Sequence, residues 1–116
     1  MVSKFQSLKK NREFQSVYRN GVSKVNRYFV MLVKENDLPY NRIGISVSKK
    51  VGNSVIRHRV TRVIREVARL HWEEVRQGHD IVIVARNAAK ESDYHEFERA
   101  IMHLLKLHHL LEDDSE

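Results

Sequence analysis

The spacing of apolar and polar positions divides the chain into segments of two different periods. Residues 25–34, VNRYFVMLVK, are rich in β-branched and aromatic side chains and predict a strand. Phe29, Met31 and Val33 lie on one face, and Tyr28, Val30 and Leu32 on the other. Both sets are apolar, so both faces are expected to be covered. After the turn-forming ENDLPYN, the segment RIGISVSK alternates: Ile43, Ile45 and Val47 point one way, Gly44, Ser46 and Ser48 the other. A face of glycine and serine either lies open to solvent or admits the close approach of a flat ring or another backbone. The run DIVIVA at 80–85, preceded by Gly78, reads as a short buried strand.

Around these strands the period lengthens to that of a helix. A first helix is expected from Arg12 to Asn20, with Asn11 as its N-cap, Glu13 in the first turn and Gly21 just past the end. It carries Phe14 and Tyr18 one turn apart. From Asn53 to His71, Ile56, Val60, Val63, Val67 and Leu70 recur in steps of four and three. Because β-branched residues lower helix propensity, the packing of this stripe must supply most of that helix's stability. A last helix is expected over Tyr94 to Leu111, with Tyr94, Phe97, Ile101, Leu104, Leu105 and His108 on one side and Asp93 with Glu96 as a capping pair. The order predicts an α+β fold: a two-layer sandwich of three helices on a small mixed four-stranded sheet, α-β-β-β-α-β-α.

Length and composition narrow the class. The 116 residues, 41% hydrophobic and 31% charged, suit a single domain spanning 1–116. No apolar run reaches the roughly 18 residues of a membrane span. The absence of cysteine excludes disulfides and thiolate metal sites. The basic N-terminus MVSKFQSLKKNREF lacks the apolar core of a secretory signal, so a cytoplasmic location is expected. The acidic end EDDSE, residues 112–116, is expected to be a disordered tail.

Charge changes the picture most in one place. The chain holds 21 Lys and Arg against 15 Asp and Glu, a net +6. Between Lys49 and Arg69 the cations Lys49, Lys50, Arg57, Arg59, Arg62, Arg65 and Arg69 face one acid, Glu66. At about 100° per residue, His58, Arg62, Arg65 and Arg69 fall within about 40° of the pole opposite Val60, with Arg57 and Arg59 flanking the seam. Cations near a helix N-terminus oppose its dipole. That placement makes sense where phosphates meet the surface, because guanidinium forks bind phosphate oxygens bidentately and the helix start adds N–H donors.

At this point the residues match a family. RIGISVSKKVGNSVIRHRVTRVIRE resembles the signature segment of the protein subunit of bacterial ribonuclease P, in which a Lys-Lys pair, a Gly-Asn pair and an Arg-Asn-Arg element follow in the same order and spacing. NREFQSVYRNG, VNRYFV and DIVIVAR resemble the family's first helix, first long strand and final strand. The resemblance implies a helper of an RNA enzyme that removes the 5′ leader of precursor tRNA using RNA-held magnesium, with no catalytic group and no tightly bound cofactor on the protein. It implies two partners, the catalytic RNA and the precursor leader, in a one-to-one complex away from membranes. By the same resemblance Lys49, Lys50, Asn53, Arg57, His58, Arg59, Arg62, Arg65 and Arg69 contact the catalytic RNA. Arg12, Phe14, Tyr18, Tyr28, Val30, Leu32, Ser46 and Ser48 form the leader cleft. An electropositive groove with aromatic platforms is what single-stranded RNA requires.

Three positions depart from the family pattern. His58 replaces the asparagine of the Arg-Asn-Arg element, Thr61 replaces a lysine, and Leu32 stands where relatives often carry an aromatic ring for which Tyr28 would compensate. Competing readings are a metal-dependent nuclease, for which Asp80 is the best-placed acid, and a general RNA-binding or ribosome-associated module, since ribosomal proteins share this kind of small sandwich. A binder of acidic proteins or membranes is the most remote.

Overall fold

The computed structural model describes residues 6–111, and the expected acidic tail at 112–116 lies outside the described residues. In chain order the elements are β1 (Gln6–Ser7), α1 (Asn11–Asn20), β2 (Val22–Val25), β3 (Phe29–Glu35), β4 (Arg42–Ser46), α2 (Ser54–Leu70), β5 (His79–Ala85) and α3 (Tyr94–Leu107). Short 3-10 turns occupy Trp72–Glu74 and Asn87–Glu91. The strands form one mixed sheet in the order β1-β4-β5-β3-β2. β3 runs antiparallel to both β2 and β5, while β5, β4 and β1 run parallel. The α+β class and the three helices stand as expected, and the sheet has five strands rather than four. The extra one, β1, is two polar residues paired with Arg42 and Ile43, too short to show an alternation of its own.

The strand expected over 25–34 begins only at Phe29, and Val25 is the last residue of the preceding β2. Asn26 Oδ1 accepts from the backbone N–H of Tyr28 at 3.1 Å and of Phe29 at 3.0 Å, and this side-chain turn reverses the chain between β2 and β3. The strand pleat therefore begins at Phe29, and Tyr28 does not share a face with Leu32. It packs against the main core beside α3, where its hydroxyl donates to Glu96 at 3.2 Å.

Alternation within β3, β4 and β5 feeds two cores. Phe29, Met31, Ile43, Ile81 and Ile83 face α2 and α3, and Phe29 meets Phe97 edge-on at 5.1 Å. Val82 faces α1 with Leu8 and Val17, and Leu32 and Val84 lie at the margin of that smaller cluster. Helix α2 buries Val60, Ile64 and Val67, whereas Leu70 is 53% exposed. The buried sector is thus centred slightly to the Ile64 side of Val60, which leaves the Leu70 edge in solvent.

The helix ends show which local signals held. Asn53, read from sequence only as the start of the helical spacing, is the cap of α2, its side chain accepting from the Ile56 N–H at 3.0 Å. Asp93 and Glu96 exchange bonds across the start of α3, at 2.9 and 3.1 Å. Asn11 is already helical, and the start of α1 is closed by Glu13, whose Oε1 accepts from the N–H groups of Lys9 and Lys10 at 2.8 and 3.0 Å. Helix α3 stops at Leu107, and His108 turns in so that Nε2 lies 3.0 Å from the Met31 carbonyl.

At the end of α2, His71 joins two helices. Its Nδ1 lies 2.7 Å from Glu74 and its Nε2 2.6 Å from Glu98 on α3. Burial alone would lower its pKa, but the bonds to Glu98 and Glu74 outweigh it and hold the imidazole above its ordinary range. A raised folded pKa stabilises below the unfolded value of about 6.5 and is lost as pH rises through the folded value. Thermal stability is expected to fall as pH rises from about 6.5 into the alkaline range. His71→Gln should remove that slope in melts recorded across the window.

Candidate nucleic-acid interface

With Val60, Ile64 and Val67 turned to the sheet, the opposite pole of α2 must face water, and His58, Arg62, Arg65 and Arg69 are all exposed. No acid occupies the first turn. Arg62 and Arg65 have no ion-pair partner among the described residues. The other cations differ. Arg69 is held by Glu66 at 2.6 Å within the helix. Arg59 reaches sideways and donates to the carbonyls of Lys90 at 2.6 Å and Ser92 at 3.3 Å, so it ties α2 to the 87–91 turn. Arg57 is half-buried, with Nε enclosed and unbonded among the described residues.

Ser54, Arg57, His58, Thr61, Arg62 and Arg65 line a groove beside Val47, where the N-terminal half of α2 meets the end of β4. Lys49 and Lys50 stand exposed on the turn that leads into it, and Asn53 is occupied as the cap. The groove therefore gathers guanidinium forks, two hydroxyls and an imidazole beside a helix N-terminus.

A second site lies on the other face of the sheet. The register aligns Ser23, Leu32, Val82 and Gly44 in one row and Val25, Val30, Val84 and Ser46 in the next. Phe14 of α1 rests on the first row, so close to Gly44 that a Cβ there would lie 2.5 Å from the ring. The bare Gly-Ser face is thus the seat of a flat ring. Tyr18 follows at 6.5 Å between ring centroids and stays 40% exposed. The second row is half-covered: Val30, Val84 and Ser46 are partly buried, and of the other residues expected there, Ser48 and Arg12 are exposed. Together they make an apolar trough flanked by an exposed tyrosine.

Of the cleft residues expected from sequence, Phe14, Tyr18, Val30, Leu32 and Ser46 come together, and Tyr28 does not. Sequence reasoning missed Val84 and Val25. Val84 was read only as part of a buried strand, although its cross-strand partners Val30 and Ser46 mark it as trough floor.

An ion-pair cluster positions α1 over the trough. Arg42 grips Asp80 through two bonds, Nε to Oδ1 at 2.8 Å and a terminal nitrogen to Oδ2 at 2.7 Å, and reaches Glu13 at 3.1 Å. Asn36 adds a bond to Asp80 at 2.9 Å. Burial would raise the Asp80 pKa, but Arg42 and Asn36 outweigh it and hold the carboxyl below its ordinary value. Glu13 is lowered chiefly by the Lys10 and Lys9 N–H groups, with Arg42 assisting. The acid best placed for a nuclease is therefore consumed by a structural arginine. No three His, Asp or Glu side chains converge on a metal site among the described residues.

A family model for ribonuclease P matches residues 2–109. The chain belongs to the ribonuclease P protein family. It is 54% identical to the ribonuclease P protein component of Lachnoclostridium phytofermentans over 106 residues, 91% of each chain. It is 48% identical to that of Alkaliphilus metalliredigens, over 85% of this chain and 89% of the relative. Among solved structures, the Staphylococcus aureus RNase P protein superposes with a TM-score of 0.86 at 37% identity, covering 93% of this chain and 99% of that one. The Thermotoga maritima RNase P protein gives 0.80 at 30% identity, covering 86% and 94%. Ribonuclease P membership places the chain in tRNA 5′ maturation, as the protein component of an endoribonuclease.

Proposed function

We propose that the α2 groove holds the catalytic RNA of ribonuclease P and that the trough under α1 holds the 5′ leader of precursor tRNA, with catalysis on the RNA. The observation that carries this reading is the outward pole of α2, where Arg62 and Arg65 stand without a carboxylate partner while the same helix's apolar side anchors the main core. The protein then acts by binding energy remote from the scissile bond. A gripped leader favours the precursor over cleaved tRNA, which has lost it. Cations at the interface replace part of the RNA's ion atmosphere, so the assembly needs less magnesium.

The direct test adds the pure protein to a bacterial ribonuclease P RNA at low magnesium and measures cleavage of precursors that carry a long leader or a minimal one. Greater stimulation of the long-leader precursor is the expected result, and equal stimulation of both would reject the trough. Phe14→Ala and Tyr18→Ala address the trough directly. Loss of a stacking platform costs about 1 to 3 kcal/mol per base. Tyr18→Ala, at an exposed position, should weaken precursor binding by roughly 5-fold or more and leave leaderless tRNA unchanged. Phe14→Ala should in addition lower the melting temperature, because its ring fills the Gly44 seat.

A further inference from the structure

A second cationic surface lies along the seam between β2 and α3, at the sheet edge away from β4. Arg27, Arg99 and His103 line a groove there with Asn26, Tyr28 and Glu96. Arg27 stacks over the Tyr28 ring at 5.6 Å, and Asn26 bonds the Ala100 carbonyl at 2.9 Å, which fixes the turn against α3. Lys24, on the pleat opposite Ser23 and Val25, lines the continuation of the seam beside Leu107 and His108. Lys106 is exposed one turn beyond His103. The acid inside the groove, Glu96, has both oxygens engaged, one by the Tyr28 hydroxyl and one by the Asp93 N–H. Neither Arg27 nor Arg99 is its ion-pair partner among the described residues.

We propose that the β2–α3 seam is a second RNA-binding surface, in which Arg27, Arg99 and Lys24 take the phosphate backbone of structured RNA at the β2 edge of the sheet, away from the α2 groove beside β4. This rests on the reading of α2 as an RNA-binding helix, and it makes the protein a wedge between two RNA segments. A guanidinium held over a tyrosine ring keeps N–H donors available for a bidentate bond to phosphate, and RNA is the polyanion that the α2 reading already sets against this protein. The α2 groove lies beside the end of β4 and the seam runs along β2, with β5 and β3 between those strands in the sheet, so the two cationic surfaces are separate. The phosphates can come from the catalytic RNA or from the body of the precursor tRNA.

The test compares Arg27→Gln/Arg99→Gln and Arg27→Glu/Arg99→Glu with Arg62→Gln/Arg65→Gln in the full chain, after melts establish that each variant folds. One arm measures the salt dependence of binding to the catalytic RNA; the other measures binding of precursor tRNA to the assembled particle. In one of the two arms, neutralisation of the seam should reduce the salt slope by about 0.7 to 0.9 per lost phosphate. The charge reversal should weaken binding further, and the arm affected identifies the RNA. Unchanged slopes in both arms with folded protein would overturn the proposal, as would loss of polyglutamate binding without loss of RNA binding. If the α2 variant keeps its slope while the seam variant loses it, the α2 reading fails and the seam stands.

Discussion

Replacing Arg42 by methionine is expected to cost about 3 kcal/mol and about 10 °C of melting temperature. The reason is what the change leaves behind. The side chain of Asp80 is 4% exposed, and the two Arg42 bonds are its charge compensation. Without them a carboxylate remains in the sheet with one amide partner, Asn36. The pH dependence should invert as well. In the native chain the Asp80 and Glu13 pKa values are depressed. Their stabilisation is therefore complete above the unfolded carboxylate range of about 4 and lost as pH falls through the lower folded values. In Arg42→Met, burial acts unopposed by the guanidinium, the Asp80 pKa rises, and acidification should recover part of the lost stability. Arg42→Met with Asp80→Leu should restore most of it at neutral pH, since a matched apolar pair in such a site is often neutral or better. Denaturant melts of the two variants at neutral and mildly acid pH check all three statements, and a single variant no less stable than the double one would reject the account.

The second large effect concerns assembly. Arg62→Gln with Arg65→Gln should reduce the salt slope of catalytic-RNA binding by about 1.4 to 1.8, two phosphate contacts' worth, and weaken binding roughly 10-fold or more at moderate salt. Arg69→Gln should do less, because its guanidinium already shares Glu66. Arg59→Gln should act differently again: it releases the carbonyls of Lys90 and Ser92, so part of its effect should appear as lost stability. Titrations at several salt concentrations separate these cases. An unchanged slope for the Arg62/Arg65 pair would remove the phosphate assignment altogether.

The residues differ in how openly the chain advertises them. Signals that act within a turn or two were legible: the apolar stripe of α2, the Asp93–Glu96 pair, and the Gly-Ser alternation of β4 that receives Phe14. Each depends on neighbours at most a few positions away or on one strand's pleat. What escaped depends on partners brought together by folding. The pairing of Arg42 with Asp80 spans 38 positions, and the bond from Arg59 to Lys90 spans 31. Neither has a periodic signature. Tyr28 was misplaced because the pleat was extended through Asn26, whose side chain had already turned the chain. The stripe on α2 was read through Leu70 instead of Ile64 because two apolar columns lie side by side on that helix. Only the position of the sheet decides between them.

The seat of Phe14 on Gly44 has a mechanical consequence. A ring lodged where a side chain is missing works as a pin in a socket, and the Arg42 cluster is a second fastening at the same helix. With two fastenings, α1 cannot slide along the sheet, so the breadth of the trough is a property of the empty protein. A floppy RNA end that settles there forfeits its own freedom, while the receptor has almost none left to lose.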